Sequence, residues 1–293
     1  LGALSMALPD PGQALDRAGG IDPTLAVLVF ATGLSVSTAN LVTACPRWPR
    51  LALALVASAI TLPTLAWTVS HLVSGPFRDG VLAVGVAPTE VASVALVGLA
   101  GGEVAVATVL LVASTLITVV VAGPVLGLMA SVPTLHPAGL LFNLGLVVGL
   151  PLVAGVGLRE ISRPGERGLS LGRLAGSVAL LVLLWEVASQ VHLRPAYGMV
   201  TLALVAFLAG ATGLGWLLAR GLPGSTRSAI LLPVAMRDFA VAAGIATAAF
   251  GGASTGPLGI YGLLVLLFGT ASARMARAPS PPGPGARPAA VMH

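Results

Sequence analysis

Charge is what this chain has least of. Only 9% of its residues are charged and none of them is lysine, while 56% are hydrophobic and the mean hydropathy is +0.99. A water-soluble helical bundle needs a polar face on every helix, and those faces are missing. Cysteine is almost absent: Cys45 stands alone, which excludes an intramolecular disulfide and a clustered thiolate metal site. The period-two alternation of a membrane-spanning barrel is also missing, since the apolar runs are continuous.

What is present is a series of apolar runs, each of about 20 residues and so long enough to cross a bilayer as a helix. They fall near 25–44, 51–73, 80–100, 104–130, 138–158, 172–190, 197–219, 228–250 and 256–273. Abundant Gly and Ala suit close helix packing in lipid. Short cytoplasmic loops accumulate basic residues, which gives an independent test of this register. With alternating loops, one side holds Arg47, Arg50, Arg159, Arg163, Arg167, Arg173, Arg220, Arg227, Arg274, Arg277 and Arg287; the other holds Arg17, Arg78 and Arg194. The asymmetry predicts a multi-pass protein of the cytoplasmic (plasma) membrane with a cytoplasmic C-terminus. A pI near 10.9 does not point to nucleic acid, because the arginines are spread over many loops and not gathered on one face. Residues 1–24 read as the last turns of a largely missing first helix and its loop, and 274–293 as a Pro/Gly-rich disordered tail.

Two of the spans carry buried charge. VAPTEVASVA at 86–95 and VAMRDFAVAA at 234–243 repeat Val, Ala, an acid, an apolar residue, Ala and Ala at an offset of 148. Counting the missing helix, they occupy the fourth and ninth of ten spans, equivalent places in two five-helix halves (25–130 and 138–273). An odd number of helices per half inverts one half against the other, the pattern of secondary transporters whose site lies at interrupted helices near the midplane. Pro88 and Pro233 lack the amide hydrogen that a helix needs, which frees a carbonyl one turn earlier. Loose polar backbone is tolerated in lipid only when buried in protein or lining a cavity.

These residues resemble the bile acid:sodium symporters of the bile/arsenite/riboflavin transporter superfamily. The resemblance is carried by LVFATGLSVSTANL at 28–41, ITLPTLAW at 60–67, VGVAPTEVASVALVGLAGGEVAVATVLLVASTLIT at 84–118 and VAMRDFAVAAGIATAAF at 234–250. It implies an all-α, ten-helix inverted-repeat (5+5) fold whose discontinuous fourth and ninth helices cross. It also implies a substrate path between that core and a panel made of the second, sixth and seventh spans. Sodium-coupled members have Ser-Asn in the first crossover, where this chain has Ser93 and Val94, and a glutamine on the third helix where it has Ser58. They carry a Glu and a Gln in the second crossover, at the positions of Pro233 and Arg237, and polar residues on the fifth helix at the positions of Ala107 and Leu111. Arg237-Asp238-Phe239 is similar instead to the Arg-Asn-Phe of arsenite-efflux permeases, but the fourth-helix cysteine of those permeases is absent.

The expected function is a secondary active transporter that moves a small organic anion by alternating access, with no cofactor. Sodium or a proton is left open as the coupling ion, and neither the solute nor the oligomeric state can be read. The expected binding residues are Pro88, Thr89, Glu90, Ser93, Pro233, Arg237, Asp238 and Asn143, with no metal site of the relatives' kind. Arg237 is expected to supply permanently the charge that sodium brings in relatives, with Glu90 and Asp238 as its counter-ions, because a lone intramembrane Arg costs about 2.5–3.5 kcal/mol on insertion scales. Ser114, Thr115 and Thr118 either line the site or bond back to their own helix. Glu186 is expected at the solvated interface, and Trp48 and Trp67 as interfacial anchors. His71 and His136 have no metal-ligand spacing. The alternatives are an arsenite-type permease, a proton-coupled anion exporter, a receptor that transports nothing, and an intramembrane hydrolase that pairs Glu90 with Asp238, although no protease motif surrounds either acid.

Overall fold

The computed structural model describes residues 21–44, 47–130, 136–189 and 196–276. The expected remnant of a first helix, Cys45, Arg17, His192, Arg194 and the tail from Arg277 onward, Arg287 included, lie outside the described residues. Among the described residues all regular structure is helical: α1 (Ile21–Ser35), α2 (Thr38–Ala44), α3 (Trp48–Ser70), α4 (Pro76–Val86), α5 (Val91–Leu99), α6 (Val104–Met129), α7 (Pro137–Ser162), α8 (Glu166–Ser189), α9 (Ala196–Leu218), α10 (Gly224–Ala235), α11 (Phe239–Phe250) and α12 (Gly256–Ala276). Six of these, α3, α6, α7, α8, α9 and α12, are long and apolar enough to cross a membrane. The other three apolar stretches are each split into two shorter helices.

One split differs from the sequence expectation of an unbroken span over 25–44. The helix starts at Ile21 and stops at Ser35, where a run of serines offers the backbone other partners. The Ser35 hydroxyl donates to the carbonyl of Ala31, and that of Ser37 accepts the amide of Ala39 in the first turn of α2. In α7 a π-helical segment, Gly145–Gly149, precedes Pro151, whose missing amide donor prevents a regular ladder there.

The molecule is apolar outside and polar inside. Leu53, Val56 and Ile60 on α3, and Leu150, Val153 and Ile161 on α7, are exposed, whereas Glu90, Arg237 and Asp238 are 0%, 5% and 2% exposed. That distribution fits a lipid surround, which rewards apolar surface and requires charge to be enclosed. Trp48 and Trp67 are exposed. Glu186 corrects its expectation: it is wholly buried, not solvated, because α8 extends on to Ser189 and α8 packs against α1 and α12.

Helix α1 packs along both α7 and α8. At its centre the α-carbon of Gly33 lies against Gly155 and the carbonyl of Leu152, with no space for a side chain, the close approach that small residues permit in lipid. The split helices are held in the rest of the molecule: α4 packs on α3, α6, α11 and α12, and α10 on α5, α6 and α9.

Candidate functional site

The two stretches singled out by their buried charge are where the split helices break and meet. Helix α4 stops at Val86 because the residue before a proline avoids helical geometry; Ala87 is extended, with φ −62° and ψ 153°. The chain re-enters a helix at Val91 with Glu90 as N-cap, its carboxylate accepting the amide of Ala92 at 3.4 Å. In the second arm α10 runs to Ala235 and Met236 is extended. Asp238 caps α11, its Oδ1 accepting the amides of Ala240 and Val241, both at 2.9 Å. No proline makes this second break. Pro233 lies inside α10, before the break, and its own carbonyl is what enters the site.

The arms cross with reciprocal backbone bonds. The amide of Glu90 donates to the carbonyl of Met236 at 3.0 Å, and the amide of Asp238 to that of Pro88 at 2.9 Å. Thr89 and Arg237 therefore face one another as an isolated antiparallel bridge. Glu90 reaches over to the other arm as well, its Oε2 accepting the amide of Phe239 at 3.4 Å.

Breaking two helices inside a membrane exposes carbonyls at the ends of α4 and α10, and the protein's own donors cover them. The Thr118 hydroxyl donates to Val86 O at 3.1 Å, the Thr89 hydroxyl to Pro233 O at 3.0 Å, and Nη2 of Arg237 to Ala87 O. The amide of Thr89 donates to the Ser114 hydroxyl and that of Arg237 to the Tyr261 hydroxyl, each at 3.1 Å. Charge follows the helix dipoles: carboxylates sit at the positive N-terminal ends of α5 and α11, and the guanidinium at the negative C-terminal end of α4.

This corrects one expectation. Glu90 and Asp238 form no ion pair with Arg237 among the described residues, because their oxygens are turned to the amides of their own helix starts. The guanidinium instead points into a cleft walled by α3, α4, α6 and α10, which Ser58, Thr89, Ser114 and Thr118 also line. Of the expected site residues, the crossing gathers Pro88, Thr89, Glu90, Pro233, Arg237 and Asp238. Ser93 is buried one turn into α5 and its hydroxyl makes no hydrogen bond. Asn143, half-buried on α7, does not line the cleft. Thr115 bonds back to Leu111 O at 2.8 Å.

Tyr261 and the carbonyl of Ala87 were not expected in the site. A tyrosine inside an otherwise apolar stretch, GIYGLL, is the signal that would have found the first, since a buried phenol needs a partner. A sodium ion does not fit this crossing: the carbonyls at the break already accept from Thr118, Arg237, Asp238, Thr89 and Glu90, and a guanidinium stands beside them. Among the described residues, no group of three or more His, Cys, Asp or Glu is placed to hold a metal ion.

The observations define an all-helical, multi-pass membrane protein whose buried charge is gathered where two broken helices cross. A family model described as the SBF-like CPA transporter family matches residues 2–276, and the chain belongs to that family. It is a family of membrane transporters similar to the bile acid:sodium symporters. No curated protein matches the chain significantly.

Proposed function

We propose that this protein is a secondary active transporter of the plasma membrane that carries a small organic anion by alternating access in a ten-helix inverted-repeat fold, with Arg237 taking the place of a coupling sodium ion. The observation that supports this reading is the hydrogen bond from Arg237 Nη2 to Ala87 O. A broken helix end of the kind that coordinates a cation in other transporters is occupied here by a cation built into the chain. The positive N-terminal ends that attract an anionic substrate elsewhere are occupied by Glu90 and Asp238, which leaves the guanidinium as the group that faces an anion.

The test is uptake of labelled organic anions into proteoliposomes with a sodium gradient and a proton gradient imposed in separate experiments. Uptake that is unchanged when choline replaces sodium is the expected result, and strict sodium dependence would overturn the role given to Arg237. Two buried carboxylates at the crossing favour a proton as the second reading of the coupling ion. Uptake driven by a pH gradient and lost in Glu90→Gln is the result that reading requires.

A further inference from the structure

The cleft beside the crossing has an unusual balance of hydrogen-bonding groups. Among the side chains that line it, Thr89 donates to Pro233 O, Ser114 to Leu111 O and Thr118 to Val86 O. Two polar atoms have no partner: Nε of Arg237 and Oγ of Ser58, both buried, in residues that are 5% and 6% exposed. A serine on a membrane helix ordinarily turns its hydroxyl back to a carbonyl of the preceding turn. On the same helix Thr64 and Thr68 do so, bonding Ile60 O and Thr64 O at 2.7 and 2.9 Å; Ser58 does not.

Two unpaired buried donors that line one cavity define a complementary ligand. It must accept hydrogen bonds, since a guanidinium has no acceptor. It must be an anion, since the one charged group lining the cleft is Arg237 and no carboxylate lines it. It carries a single charge, as one guanidinium and one hydroxyl offset no more. The free space beside these donors is about 30 Å³, enough for one or two waters or for a carboxylate, and a guanidinium edge matches carboxylate geometry. The walls are apolar, formed by Ala54, Leu55, Leu110 and Ile117, and Ala59, Ile117 and Val121 are only half-buried, which places the mouth of the cleft between α3 and α6.

We propose that Arg237 Nε and Ser58 Oγ form the head-group subsite for a monocarboxylate with a short apolar tail, which enters head first between α3 and α6. The proposal deepens the transporter reading and rests on it for the ligand being cargo. The subsite itself is testable without transport.

The experiment is isothermal titration of the purified full chain in detergent with sodium formate, acetate, butyrate and sulfate at fixed ionic strength. Wild type, Ser58→Ala, Ser58→Leu and Arg237→Lys are compared, with circular dichroism to check each fold. Saturable binding of acetate and butyrate but not of sulfate is expected, weakened at least about 5-fold in Ser58→Ala, as one lost hydrogen bond implies, and abolished in Ser58→Leu, which fills the cleft. Equal acetate affinity in wild type and both Ser58 variants, or no carboxylate binding by folded wild type, overturns the subsite; in the latter case water is what the donors hold. Carboxylate binding that Ser58→Leu abolishes, with no flux in proteoliposomes, supports the subsite and removes the transporter reading. Organic-anion flux untouched by Ser58→Leu removes the subsite and keeps the transporter.

Discussion

Arg237 donates through Nη2 to the carbonyl of Ala87, 150 residues away in sequence, and so closes the end of one broken helix with a side chain from the other. The contact joins the two arms at the point where each has given up its helical ladder. It accounts for a charged residue that lipid would otherwise reject.

Removing this donor should be costly in two separate ways. Arg237→Gln leaves the Ala87 carbonyl buried without its partner, a loss of about 1–3 kcal/mol, and it removes the positive charge from the cleft. Thermal unfolding in detergent should show the first effect. Anion uptake should fall by an order of magnitude or more, while Arg237→Lys, a point charge without the planar fork, should recover part of it.

The two threonines that cover carbonyls of the other arm or of a neighbouring helix should differ from one that bonds within its own helix. Thr89→Val and Thr118→Val each leave an acceptor at the break unsatisfied, at about 1–3 kcal/mol each. Thr115→Val removes a bond to Leu111 O, a carbonyl within its own helix, and should cost about 0.5 kcal/mol or less. Denaturation midpoints of the three variants in one detergent give the comparison. Equal losses in all three would contradict the account of the crossing.

Gly85 should tolerate nothing larger. A β-carbon there would run into that of Ala66 and sit 3.2 Å from the backbone of Leu62 and Pro63, at the seam where α4 lies on α3. Overpacking of this kind costs about 1–3 kcal/mol. Gly85→Ala should lower the unfolding temperature, and Ala66→Gly in the same chain should recover part of the loss, a coupling that a double-mutant cycle measures.

Glu90 acts on structure through its oxygens as acceptors, which an amide partly reproduces. Glu90→Gln should therefore unfold close to wild type, whereas Glu90→Leu, which removes the acceptors for the amides of Ala92 and Phe239, should lose about 1–2 kcal/mol as a deleted N-cap does. If Leu and Gln unfold alike, the caps carry no stability.

Most of the helices were legible in the sequence because lipid imposes long apolar runs, and the two breaks were legible because Pro88, Glu90, Arg237 and Asp238 violate them. The break after Ser35 was not, since serines and β-branched residues weaken a helix without forbidding it. The burial of Glu186 was hidden because the α8 apolar run ends near it while the helix and its packing continue. Pairing within the site was the least legible part. Opposite charges on neighbouring residues, Arg237 and Asp238, suggest an ion pair, but a carboxylate at a helix start has two amides closer to hand. Which acceptor a side chain takes depends on backbone direction at the break, and composition carries no record of that.

The reciprocal bonds between Glu90 and Met236 and between Asp238 and Pro88 also set where the molecule has slack. A slip of either arm by one residue would break both bonds and unseat the Thr89–Arg237 pair, so the crossing behaves as a rivet. Relative movement falls instead to smooth seams such as the one where Gly33 lies against Gly155, where no side chain interlocks and sliding breaks no hydrogen bond.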